Sequence, residues 1–216
     1  MKAVMISIRP EWCAKIANGQ KTIEVRKTSP NLKPPFKCYI YCTSRRPYLV
    51  LGEVFYGNWE TEYITTYGYS REKADRIWDV MNGKVIGEFM CDRVSIYRWN
   101  QYDVPFQDSG EYDLSLDDLK GCCLTHHDLE NYGFDGLGFC TLYGWHIADL
   151  KIYDEYDGLL EVSQFIKPCP NNEVCESCAM YSEFEDRCGN AAIQVHRPPQ
   201  SWYYVEDGFL GKESIK

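Results

Sequence analysis

The chain has 216 residues, 44% hydrophobic, 25% charged and 15% aromatic with 17 Tyr and 6 Trp, a globular composition that excludes disorder and fits one well-buried domain with insertions. Its net charge of −9 excludes a sequence-blind nucleic-acid coat, yet residues 1–48 hold ten Lys/Arg against Glu11 and Glu24, and the rest thirteen against thirty acids. A basic N-terminal region on an acidic body is either a solvated edge or a local site for a phosphate or other anionic group.

In chain order, "VMISIR" (4–9) reads as a short buried strand, and Pro10 opens a helix, "PEWCAKIAN", that Gly19 stops. The apolar run before Arg9 is too short for a signal-peptide core, and no run reaches membrane-spanning length, so the expectation is a soluble, cytoplasmic protein with no membrane partner. Residues 21–27 alternate, with Ile23 and Val25 on one face and Thr22, Glu24 and Arg26 on the other. Lys21 has the wrong parity to join Glu24 and Arg26 unless the chain bends at the Asn18-Gly19 turn.

A proline-rich connection (31–37) leads to strands at 38–44 and 48–57. A helix is predicted over 70–81, capped by Ser70, with Ala74, Ile77, Trp78 and Met81 as its apolar stripe. A long strand at 84–97 carries Gly87, a bulge or close approach. Ser115 and Thr125 cap two short helices, and strands follow at 142–153 and 201–207. Several non-repeating strands with few short helices predict an α+β chain: a small β-barrel with flanking helices, a helical insertion at about 58–82 and a Cys-rich appendage at about 167–197.

"ISIRPEWCAKIANGQKTIEVRK", an apolar strand, a short helix and then G-x-K-T-x-E-x-R, resembles the opening of the ASCH family. "NGKVIGEFMCD", "YGWHIADLKIYD" and "RPPQSWYYVE" are similar to the longer bacterial and phage members. The resemblance implies a PUA-like β-barrel and RNA or modified-nucleoside chemistry. One activity in the family is amidohydrolysis of acetylated cytidine by a lysine, a threonine three residues later and a distal glutamate; others are ribonucleases or nucleic-acid binders. Lys21 matches the lysine by the G-x-K register, Glu24 stands in the threonine's place, and Thr22 is its neighbour.

The chemistry of the group leaves several roles open. Arg26 can bind a phosphate or base acceptor bidentately, Lys21 can act as a point charge or general base, and Glu24 can accept from an exocyclic amine or serve as acid or base. The plain alternative is a surface Glu–Arg pair of about 0–1 kcal/mol with Lys21 solvated. Arg9, Tyr143, Trp145, His146 and Trp202 complete the candidate substrate-binding set. Base stacking on an aromatic is worth about 1–3 kcal/mol, against the alternatives of core tryptophans and a hydrogen-bonded structural histidine.

Eleven cysteines read as thiols or metal ligands. Cys169, Cys175, Cys178 and Cys188, with one C-x2-C, fit a closed structural zinc site, with free thiols, or another arrangement such as an iron–sulfur cluster or disulfides, as the alternatives. No organic cofactor is expected. Three functions stay open: a binder of single-stranded RNA, a nucleotide or a modified nucleoside; an amidohydrolase or ribonuclease using Lys21 and Glu24; and a zinc-stabilised interaction module whose protein partner the sequence leaves unknown.

Overall fold

The computed structural model describes residues 2–55, 57, 59–77, 80–100, 115–134, 139–153, 158–169, 178–182 and 187–207. The chain forms two compact units, one of Met1–Ala14, Lys37–Phe89 and Leu150–Lys216, the other of Lys15–Phe36 and Met90–Asp149.

In the first unit the apolar run at the N-terminus becomes β1 (Lys2–Ile8), whose residues after Lys2 are buried on both faces and whose two edges are both paired. It pairs in parallel with β3 (Phe36–Cys42) and antiparallel with β10 (Trp202–Glu206). Ala3, Met5, Tyr39, Tyr41, Phe165 and Val205 belong to one of its core clusters, with Tyr39 and Phe165 edge to face at 4.9 Å. A hairpin of β4 (Tyr48–Phe55) and β5 (Trp59–Thr66) packs Tyr48 and Val50 against Ala74 of α2 (Arg71–Ile77). Buried Asn82 holds the approach to this hairpin, accepting from the Leu49 N–H and donating to the Arg45 and Pro47 carbonyls.

The second unit contains β2 (Ile23–Arg26), paired antiparallel with β7 (Phe139–Ile152). Helices α3 (Leu116–Cys122) and α4 (His126–Gly133) cover one face of it, where Ile23, Val25, Tyr97, Cys122, Leu129 and Leu142 cluster. Ser115 and Thr125 cap these helices as expected, each hydroxyl accepting from a backbone N–H three residues on. The reciprocal bond from the Thr125 N–H to Asp128 completes a capping box, and the bonds that the Thr125 hydroxyl and then its N–H donate hold the Asp128 carboxyl below its usual range. Helix α1 (Pro10–Ala17) ends where Gly19 takes φ +71°.

Several expectations are corrected. The strand order β10-β1-β3-β6-β7-β2, where β6 is Val85–Asn100, has two ends, so among the described residues the sheet does not close into a barrel. β4, a candidate barrel strand, pairs among the described residues with β5 and not with the six-stranded sheet. β5 itself lies inside the segment expected to be helical: its Thr, Tyr and Ile content suits a pleated surface, and β4 supplies the ladder. The helix expected over 70–81 is described over Arg71–Ile77 and does not include 80–81; Met81 is buried beyond it, Trp78 lies outside the described residues, and so does Ile77's side chain. Gly87 is a close approach, since a methyl there would strike the Lys151 carbonyl. No described helix is long and apolar enough to cross a membrane.

Candidate functional site

The turn at Asn18-Gly19 resolves the parity of Lys21. Gln20 and Lys21 N–H groups both return to the Lys15 carbonyl, at 2.8 and 3.0 Å, wrapping the chain around the end of α1 before β2 begins. The Thr22 N–H then bonds the Gly121 carbonyl at 2.8 Å, and the Lys21 Nζ donates to the Cys122 carbonyl at 2.7 Å. These are terminal carbonyls of α3, which lack partners within the helix and carry its negative dipole end. A lysine is therefore electrostatically suited to this place. Gly121 permits the approach, because a methyl there would sit 2.8 Å from Thr22 Oγ1 and 3.0 Å from Ile23.

Glu24 lies between two cations. Its Oε1 is 3.0 Å from an Arg26 terminal nitrogen and its Oε2 is 3.6 Å from Lys21 Nζ. The three side chains are 3, 8 and 10% exposed for Lys21, Glu24 and Arg26, so the group is a buried charge cluster and not a surface pair. In such a place a carboxylate flanked by two cations lowers the desolvation cost of all three, and removing it leaves like charges facing each other. Glu24 Oε2 accepts no hydrogen bond among the described residues.

The register sorts the other candidates. Glu24 lies opposite Trp145 and Arg26 opposite Tyr143, which places these four on one face; Ile23 lies opposite His146 and Val25 opposite Gly144, on the other. Trp145 is fully buried and meets Phe36 edge to face at 5.8 Å, so it is a core aromatic and offers no stacking face to solvent. Tyr143 is half-buried and Thr22 exposed. His146 is parted from the Lys21–Glu24–Arg26 cluster by strand parity. Arg9, exposed, and Trp202, which meets Tyr204 edge to face at 5.5 Å, belong to the first unit.

His146 has partners that no sequence pattern announced. Ser95 Oγ is 2.8 Å from its Nε2, and an Arg93 terminal nitrogen is 3.1 Å from its Nδ1. Burial and the Arg93 charge push its pKa below the ordinary histidine value, against weaker opposite pulls from Asp118 and Asp92. Tyr97 continues the row, and a methyl on Gly144 would collide with its hydroxyl. Arg93, Ser95 and Tyr97 alternate along β6, the period-2 signal that a long strand hides unless its partner is known. Cys91 shares their parity; burial pushes its thiol up to about 12.

The cysteine cluster is described only in part. Cys169 packs on Ile166 and Ile193, Cys178 is half-buried, Cys175 lies outside the described residues, and so does the side chain of Cys188. Among the described residues no three metal-ligating side chains converge.

No family model matches the chain, and no curated protein does. In structure the chain is similar to ASCH from Zymomonas mobilis, at TM-score 0.42 and 15% identity, over 96% of this chain and 90% of that one. Two mutant forms of that protein give TM-scores of 0.43 and 0.41, at 15 and 16% identity, covering 96 and 95% of this chain and 92 and 89% of theirs.

Proposed function

We propose that the chain binds single-stranded RNA, a nucleotide or a modified nucleoside through Lys21, Glu24 and Arg26. The observation that carries this reading is Glu24 Oε2, a buried acceptor without a hydrogen bond among the described residues, on a carboxylate held between two cations. Such an atom is suited to an N–H donor such as the exocyclic amine of cytosine, for which a carboxylate is the usual partner. The net positive group suits an adjacent phosphate, and Tyr143, opposite Arg26 and half-buried, suits stacking. The motif resemblance to ASCH proteins points the same way.

The test is calorimetric titration with cytidine, acetylated cytidine and a short mixed RNA. Glu24→Gln should weaken binding at least about tenfold, the scale of one charge-assisted bond. Equal affinity for wild type and variant would remove Glu24 from recognition.

A second reading is an amidohydrolase or ribonuclease, favoured by Lys21 and Glu24 lying 3.6 Å apart in a buried site. Lys21 would first have to give up the bond it donates to the Cys122 carbonyl before acting as a base. Mass spectrometry of acetylated cytidine and RNA after incubation with wild type and Lys21→Ala decides it: product from wild type alone makes this an enzyme.

The zinc proposal rests on the spacing of Cys169, Cys175, Cys178 and Cys188. It is supported by the slightness of the described structure there, two-residue strands β8 (Tyr181–Ser182) and β9 (Arg187–Cys188). Bound zinc near one per chain is the expected elemental analysis; a zinc-free protein whose melting ignores chelators would end the proposal.

A further inference from the structure

We propose that Arg93, His146 and Ser95 form an oxyanion-binding subsite for a dianionic group such as a terminal phosphate, gated by protonation of His146. The hydrogen-bond directions carry the argument. A guanidinium can only donate, so Arg93 at 3.1 Å requires a lone pair on His146 Nδ1. The neutral ring must then hold its proton on Nε2 and donate it to Ser95 Oγ at 2.8 Å. Ser95 is thus an acceptor from this histidine, and the pair is not arranged as a nucleophile with its base.

What remains is a guanidinium spent on an imidazole. Arg93 is exposed, and among the described residues it forms no ion pair, although Asp92 and Asp118 are near enough to act on the same ring. Most of its donor fork is therefore uncommitted at the surface, held in place by one bond to His146. Asp92 is the strand neighbour of Arg93, with opposite parity, so it points to the other face of β6.

An arriving dianion takes the free donors of Arg93. His146 takes a proton from solvent at Nδ1, the Arg93–Nδ1 bond breaks, and the new Nδ1–H donates to the anion while Nε2–H stays on Ser95. The charges acting on the ring are Arg93 and Asp92 from β6 and Asp118 from α3. The anion offsets the repulsion between Arg93 and the imidazolium, which no bonded carboxylate among the described residues offsets in its absence. The site lies on the opposite face of the β2–β7 ladder from Glu24, so its failure leaves the nucleoside-binding reading untouched, and the reverse.

The test uses the full chain and sulfate, which stays dianionic across the range, with the His146 ring nitrogens followed by NMR at pH 5.5 and pH 8. The expected result is a saturable shift, tighter by about tenfold or more at pH 5.5 and lost in Arg93→Gln. His146→Gln, followed instead through the backbone amides of β6, should keep weak binding and lose the pH dependence. A 5′-phosphorylated RNA should bind more tightly than its 5′-hydroxyl form if the natural source is a chain end, and inorganic phosphate alone if it is the free ion. No saturable shift, equal affinity at both pH values, or full binding by Arg93→Gln would overturn the proposal.

Discussion

The two faces of the β2–β7 ladder solve one electrostatic problem in opposite ways. On one face Lys21 and Arg26 are buried around a carboxylate, so charge is neutralised by charge. On the other, Arg93 stays at the surface and leans on a neutral imidazole. A buried cation needs a full counter-charge, because the low dielectric makes an unpaired one cost several kcal/mol. An exposed cation keeps its hydration and can tolerate a weak acceptor. The first face is therefore committed to stability as well as to any ligand, while the second holds its donors in reserve.

Breaking the buried face should give the largest effect. Glu24→Ala leaves Lys21 and Arg26 buried together, and a loss of about 3–5 kcal/mol in urea unfolding is expected. A loss under about 1 kcal/mol would mean that the group is solvated in solution and that the contrast between the faces is false. Lys21→Met keeps the volume but strips the Cys122 carbonyl of its donor; about 1–3 kcal/mol should go, less than for Glu24→Ala because Arg26 still faces the carboxylate. Should the order of the two variants reverse, capping of α3 and not charge pairing would be the dominant role.

On the second face, Gly144→Ala drives a methyl against the Tyr97 hydroxyl, which should cost about 1–3 kcal/mol by overpacking. Tyr97→Leu should recover part of it; full cost in the double variant would place the strain elsewhere. The smallest effect is the pH dependence of His146. Its folded pKa lies below the unfolded value of about 6.5. As pH falls through that value the unfolded chain takes the proton first, so unfolding free energy declines and then levels off below the folded pKa. Subtracting a His146→Gln curve between pH 8 and pH 5 isolates this decline, whereas a rise on acidification would mean that Asp118 and Asp92 outweigh burial and Arg93 at the ring.

Much of this was legible in the chain itself. Parity along 21–27 put Glu24 and Arg26 on one side, and the register confirms their shared face. The Pro10 start, the Gly19 stop and the Ser115 and Thr125 caps are local chemistry, decided within four residues. β5 was not legible, because Glu60 and Glu62 interrupt its apolar pattern and its stability comes from pairing with β4. The helix over 71–77 was read too long, since Met81 is buried beyond the helix end and so mimics a further turn of the stripe.

By itself the amino-acid sequence determined the elements whose signals are short-ranged, strand alternation and helix caps, whereas the bend that brings Lys21 round to Glu24 was left open until the Gln20 and Lys21 N–H groups were seen to return to the Lys15 carbonyl. Only the tertiary structure decided what those side chains meet. The partners of Lys21 and His146 are Cys122, 101 residues on from the lysine, and Arg93 and Ser95, 53 and 51 residues before the histidine. A backbone carbonyl leaves no mark in composition, and an Arg-x-Ser in a long strand has no meaning until another strand supplies the imidazole. Burial likewise turned an apparent surface ion pair into a charge cluster, because solvent exclusion is a property of the packed chain and not of any one segment.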